Sequence, residues 1–187
     1  MRCARIVPLT VVLVGVGLGA GTTTAAPPIH ETFHDEFTDV DDNFCDEGLN
    51  VQIDTVVDGR ALVRTRGPEA LVYFTEHLRV TNTFTNLDND ATIHAVDRVV
   101  FKDLKVIDNG DGTLTVVVLG TGNATLYGAD GKAIARNPGQ IRFELLIDHG
   151  GTPADPEDDV ELDFQLIKES TGRTDDFCAA AVPALTG

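Results

Sequence analysis

One loop of the sequence, residues 150–159, concentrates side chains that could bind a metal ion. Its carboxylates belong to Asp155, Glu157, Asp158 and Asp159. Calcium takes several oxygen ligands, and an acidic loop can supply them. The order Asp-x-Asp-x-Asp-Gly of an EF-hand loop is missing, however, and a solvated acidic loop explains the same composition. We therefore expect no cofactor, with Ca²⁺ bound by this loop as the alternative.

The residue types used in catalysis form no recognisable set. His30 and His34 are four residues apart, the other three histidines are isolated, and His-Glu-x-x-His does not occur. Ser170 is the only serine, and it lies outside any Gly-x-Ser-x-Gly sequence. We assign no catalytic residue. The sequence favours a non-enzymatic binding or interaction module; the alternative is a barrel enzyme of the cyclase or isomerase type, which a histidine or carboxylate in a barrel mouth would support.

Side chains on the inner faces of predicted strands are the remaining candidates for a site. They are Val51, Ile53, Asn82, Phe84, Phe143 and Phe164. A barrel of about eight strands is wide enough either to fill itself with side chains or to hold one small ligand. A filled core is favoured, but the polar Asn82 and Thr55 on apolar faces argue for a cavity, because buried polar groups need partners. The expected partner is a small apolar molecule or a component of the cell envelope.

The elements that position these residues are strands. From Leu49 onward apolar and polar residues alternate, which is typical of strands with one buried face. The alternation is clearest in residues 49–55, 78–85, 140–147 and 160–166. We predict further strands near residues 61–66, 93–101, 104–107, 114–119 and 124–127. No segment after the first 26 residues shows a helical repeat, so the sequence predicts an all-β protein.

Glycine-containing turns separate these predicted strands. Asp58-Gly59, Asp111-Gly112 and Asp130-Gly131 are typical of hairpins, because glycine accepts the positive φ of a tight turn. Arg66-Gly67-Pro68 and Asn137-Pro138-Gly139 predict two further reversals. Short strands joined by hairpins predict an antiparallel up-and-down β-barrel of about eight strands, with a β-sandwich as the alternative.

The first 26 residues are typical of a secretory signal peptide. Arg2 and Arg5 precede an uncharged apolar run over residues 6–20, and small residues follow it. We expect a secreted, extracellular protein with no membrane span after processing. Residues 27–43 are expected to form an extended acidic arm, residues 44–178 the barrel domain, and residues 179–187 a C-terminal tail.

Charge and cysteine content narrow the possible partners and the compartment. The formal net charge of -16 opposes binding to nucleic acid and to anionic membranes. Cys3 lies within the predicted leader, which leaves Cys45 and Cys178. Two cysteines in an exported chain usually pair, so we predict one disulfide that joins the start of the domain to its end.

Several short segments resemble sequences of a group of small exported proteins of high-GC Gram-positive bacteria that have no assigned function. The segments are Asn43-Phe44-Cys45, DNGDGTLTV at 108–116, YGADGK at 127–132, RFELLIDHGGTP at 142–153 and STGRTDDFC at 170–178. The resemblance covers nearly the whole predicted domain but implies no activity. In architecture the chain is loosely similar to the barrels of allene oxide cyclase and dirigent proteins, a similarity that concerns the fold only.

Overall fold

The computed structural model describes residues 27–187; the predicted signal peptide lies outside the described residues. The described chain is all-β, as predicted. Its strands are β1 (Ile29–Phe44), β2 (Leu49–Arg66), β3 (Leu71–Asn86), β4 (Thr92–Asp108), β5 (Thr113–Tyr127), β6 (Ala133–Asp148) and β7 (Val160–Lys168). A 3-10 turn (Pro156–Asp158) precedes β7, and one helix, α1 (Phe177–Thr186), follows it. Among residues 27–187 no helix is long and apolar enough to cross a membrane.

The strands form one antiparallel sheet in the order β1-β2-β3-β4-β5-β6-β7. Each strand pairs with its neighbour in sequence, which confirms the predicted up-and-down topology. As formed by the described residues, the sheet is not closed, and β1 and β7 are its two edges. It has seven long strands where about eight were expected, because β2, β4 and β5 each contain two of the predicted short strands.

Two predicted turns are wrong, because their glycines serve packing inside strands. Asp58-Gly59 lies within β2, where Gly59 is paired with Phe33 of β1 and the phenyl ring occupies the space that a Cβ would need. Asn137-Pro138-Gly139 lies within β6. The other three predicted turns are confirmed: Gly67, Gly112 and Gly131 have φ of 75°, 91° and 73°.

Pro138 is tolerated in β6 because no strand pairs with that part of its outer side. β7 pairs only from Arg142 onward, and the stretch that precedes α1 covers the rest. The Asp175 N–H donates to the Arg136 carbonyl over 3.2 Å, and the Arg136 N–H donates to the Asp175 carboxylate over 2.9 Å. A proline without an N–H fits the edge of a sheet better than its centre.

Both ends of the described chain are more regular than their sequence indicates. The expected acidic arm at 27–43 falls largely within β1, which pairs with β2 from Ile29 to Phe44. The expected tail at 179–187 is mostly part of α1, although it has no helical repeat. Asp176 caps this helix by accepting a hydrogen bond from the Ala179 N–H over 3.0 Å.

Two apolar clusters lie at opposite ends of the sheet. The first surrounds α1, whose Ala181 and Leu185 are fully buried; its other buried members are Phe44, Val51, Phe84, Ile93, Ala95, Leu126 and Ala135. The amides of Asn86 and Asn89 donate to the Leu185 carbonyl over 3.0 and 2.9 Å. The second cluster contains Leu71, Val106, Leu114, Val116 and Val118.

Cys45 and Cys178 lie at disulfide-bonding distance, with 5.6 Å between their Cα atoms. The predicted pairing is confirmed. Cys45 lies in the turn between β1 and β2, and Cys178 lies in the first turn of α1. The bond therefore fastens the helix to the end of the sheet that it covers.

Candidate ligand-binding cavity

A cavity of about 100 Å³ lies beside the second apolar cluster. Four strands and the loop before β7 form its walls. The lining residues are Val72, Phe74, Asp103, Val106, Leu114, Val116, Leu145, Ile147, Pro153, Pro156 and Asp159. Nine of these eleven side chains are apolar, so the two aspartates supply the polar groups of the wall. A cavity of this composition suits an apolar ligand with one or two polar atoms.

The loop over the cavity is held in place by its own hydrogen bonds. The Thr152 hydroxyl donates to both carboxylate oxygens of Asp158, over 2.8 and 2.9 Å. Asp155 caps the 3-10 turn by accepting from the Glu157 N–H over 3.2 Å. The backbone of the buried His149 joins the loop to the β4–β5 turn, because its N–H donates to the Gly112 carbonyl over 3.2 Å. These bonds position Pro153 and Pro156 against the cavity.

Asp103 places a buried carboxyl group in the cavity wall. The β3–β4 pairing ends at Thr75 and Lys102, and beyond it the Phe74 N–H donates to Asp103 Oδ2 over 2.7 Å. The residue is only 9% exposed. Burial raises the pKa of Asp103 to about 6, since it outweighs the bond from Phe74, and the negative charge of Glu76 raises this pKa further.

Asp159 places a second carboxyl group at the cavity. In the part of the chain that the structure describes, its Oδ1 is the one buried side-chain nitrogen or oxygen without a hydrogen-bond partner. Burial is the largest cause that raises the pKa of Asp159 to about 6; the charges of Asp158 and Asp155 also raise it, and His149 lowers it. Buried polar groups nearly always have a partner, so this oxygen is an exception in the loop that covers the cavity.

Two further carboxyl groups lie on the same face of the sheet as Asp103. Glu76 is paired with Phe101, and Asp97 is paired with Val80. Burial raises the pKa of both Glu76 and Asp97 above the ordinary values. This inner face therefore combines apolar side chains with a few carboxyl groups that gain protons more easily than exposed ones.

The side chains predicted to line a cavity lie elsewhere. Val51, Ile53 and Phe84 belong to the first apolar cluster, under α1. Asn82 accepts a hydrogen bond from the Thr55 hydroxyl over 2.8 Å, so these two polar side chains satisfy each other. That any of them contacts a ligand stays a prediction.

The two predicted phenylalanines of β6 and β7 lie in a row of aromatic rings that begins on β4. The rings of Phe101 and Phe143 are 6.1 Å apart, and those of Phe143 and Phe164 are 5.1 Å apart. Gly120 of β5 lies next to Phe101. The side chains of Phe101 and Ile141 occupy the space that a Cβ of residue 120 would need. The row crosses the sheet and reaches its edge at Phe164.

The four acidic residues predicted to bind calcium have different surroundings in the structure. Asp158 and Asp155 accept hydrogen bonds within the loop, Glu157 belongs to the 3-10 turn, and Asp159 borders the cavity. Over residues 27–187 no three His, Cys, Asp or Glu side chains are grouped so that they could hold a metal ion. Calcium binding by this loop stays a prediction.

Sequence reasoning did not find Asp103, although a signal for it exists. Apolar residues occupy alternate positions of β4, at Ile93, Ala95, Val99 and Phe101. Asp103 is two residues further on and therefore falls on the same face of the strand. An aspartate at an apolar position of a strand indicates a buried carboxyl group.

Comparison with protein-family models, with curated proteins and with solved structures finds no match to this chain.

Proposed function

We propose that this protein is an exported, non-enzymatic binding module that holds a small, largely apolar molecule in the cavity under the loop 149–159. The observation that carries the proposal is a largely apolar cavity of about 100 Å³ whose wall contains two carboxyl groups, those of Asp103 and Asp159. Export is supported by the predicted signal peptide and by two cysteines at disulfide-bonding distance.

The cavity limits the size and the polarity of the ligand. An apolar cavity of about 150 Å³ holds benzene, so a cavity of this size suits a branched alkyl group of roughly four carbon atoms. For an N–H or O–H on that group, the wall offers the carboxyl groups of Asp103 and Asp159 as acceptors. The ligand class is therefore a short apolar molecule, or the apolar end of a longer one, with a hydrogen-bond donor.

Filling the cavity should abolish binding. Val116 is a buried lining residue, and we expect Val116→Phe to remove the space that the ligand needs. The matched control is Val117→Phe, because the neighbouring residue of a strand points to the opposite face. Native mass spectrometry of gently purified chains should show a co-purifying molecule on the wild type and on Val117→Phe, and none on Val116→Phe.

A probe titration makes the test independent of what co-purifies. Isobutanol should shift the amide NMR signals of Val116 and Leu145 in the wild type, whereas isobutyronitrile, which has a similar alkyl group and no donor, should shift them less. A bare mass together with no response to either probe would contradict the proposal.

The second candidate is an enzyme of the cyclase or isomerase type, and one observation favours it. Asp103 and Asp159 both have a pKa raised to about 6 in the same cavity wall. A carboxyl group that titrates near neutral pH in an apolar site can transfer protons to or from a bound molecule. Such an enzyme would exchange C–H hydrogen of its bound molecule with D₂O, and Asp159→Asn would stop this exchange. A simple binding module would show no exchange.

A further inference from the structure

We infer that the β7 edge of the sheet pairs with the β7 edge of a second copy of this chain. β7 pairs with β6 on one side and is the last strand of the sheet, so no strand within residues 27–187 binds the backbone groups on its far side. All nine of its residues are exposed. Five of them are large and apolar, with exposed fractions between 44% and 57%: Val160, Leu162, Phe164, Leu166 and Ile167.

The two edges of the sheet differ in how they are protected. β1 carries six carboxylates and no Lys or Arg, which is a usual protection against edge-to-edge pairing. β7 carries two carboxylates and one lysine. Its irregularities of register, at Leu162 and Ile167, leave Asp163–Leu166 as a regular stretch. The β7 edge is therefore the one open to another strand.

Charge indicates that the occupant is a second β7. A second copy could offer β1 instead, but its six carboxylates would face Glu161 and Asp163, and head-to-tail pairing would continue into an open filament. Two β7 strands bring a formal charge of only -1 each. An antiparallel pair of identical strands is two-fold symmetric and closes after two copies.

One register of this pair places apolar side chains opposite each other and keeps the acidic side chains apart. When the two-fold axis passes through Phe164, the two Phe164 side chains lie opposite each other and Leu162 lies opposite Leu166. Asp163 then lies opposite Gln165. A shift of two residues toward the N-terminus would place Asp163 opposite Asp163, which is unfavourable because like charges directly across a sheet destabilise it.

The aromatic row of the inner face supports the same register. Phe164 packs on Phe143, with 5.1 Å between ring centroids, and its other side is free of the sheet. A second Phe164 across the axis would continue the row from one copy into the other. Pairing would cover the exposed apolar side chains and would give the unpaired backbone groups hydrogen-bond partners.

The test compares two phenylalanines on opposite edges of one sheet. Phe164 and Phe37 are 44% and 45% exposed, and each lies on an edge strand. Sedimentation equilibrium of the purified chain should give twice the mass of one chain, as measured for the unfolded chain by mass spectrometry. Phe164→Lys should weaken the dimer by about 30-fold or more, as expected for a central interface residue, and Phe37→Lys should leave it unchanged.

A cysteine variant keeps the inference testable if Phe164→Lys disturbs folding. Cβ atoms directly opposite in an antiparallel pair lie about 4.5–5.5 Å apart, so Phe164→Cys should form a covalent dimer under mild oxidation, and Phe37→Cys should not. A wild-type chain that stays monomeric at all concentrations, a dimer that both lysine variants weaken equally, or cross-linking of Phe37→Cys alone would overturn the inference. The cavity proposal is not affected by these outcomes.

Discussion

Replacing Cys45 and Cys178 by serine is expected to lower the free energy of unfolding by about 4 to 5 kcal/mol. The two residues are 133 positions apart in sequence, and a bond that closes a loop of this length removes much of the conformational entropy of the unfolded chain. The measurement is urea unfolding of the wild type and of the double-serine variant. Addition of a reductant serves as the control, because it should lower the stability of the wild type to that of the variant and leave the variant unchanged.

The same change should have a local effect at α1. The bond fastens the first turn of the helix to the β1–β2 turn, and Ala181 and Leu185 are fully buried beneath it. Without the bond, the helix is held by these side chains and by the two amides that donate to the Leu185 carbonyl. We expect faster hydrogen exchange in α1 than in β3 after reduction. A wild-type chain whose stability does not respond to the reductant would contradict the pairing.

Asp103→Asn is expected to stabilise the protein at pH 8 by about 2–3 kcal/mol more than it does at pH 4. Asp103 has a pKa of about 6 in the folded chain, against an ordinary value of 3.8. Above pH 6 the folded chain therefore buries a charged carboxylate that the unfolded chain exposes to water. Below 3.8 both states are protonated, and this unfavourable contribution to folding disappears. Stability from this group thus rises as the pH falls from 6 to 4.

Replacement of Asp103 by asparagine removes the charge of the side chain and keeps its hydrogen bond. Its side-chain oxygen can still accept from the Phe74 N–H, the bond that Asp103 makes over 2.7 Å, while it carries no charge at any pH. Urea unfolding of the wild type and the variant at the two pH values gives the difference. Asp88→Asn, an exposed position between β3 and β4, is the control and should change stability equally at both. If Asp103→Asn also had the same effect at pH 4 and pH 8, the carboxyl group would not be buried as described.

The parts of the fold that the sequence predicts correctly are those governed by local rules. Alternation over residues 78–85 and 140–147 falls within β3 and β6, because each strand buries one face. Gly67, Gly112 and Gly131 mark turns, because their positive φ is a local requirement of the chain. The Cys45–Cys178 pair followed from counting the cysteines that remain after the predicted leader.

Other features depend on residues that are distant in the sequence. Asp58-Gly59 has the sequence of a hairpin turn. The need for glycine there comes instead from Phe33 of the neighbouring strand, whose ring lies over Gly59. β1 showed no period, because an edge strand that exposes both faces has no burial pattern to reveal. α1 has little helical pattern of its own and owes its place to the apolar cluster beneath it.

The sequence by itself determined an all-β chain, its antiparallel order, its acidity and the pairing of its cysteines, because each follows from local pattern or composition. Only the tertiary structure decided which carboxyl groups are buried, where the cavity lies and which strands form the two edges of the sheet. Those properties depend on which residues of paired strands lie opposite each other. Asp103 accepts from the Phe74 N–H only because β3 and β4 are paired in this register. Asp159 Oδ1 is buried without a hydrogen-bond partner only because the loop before β7 folds over the sheet.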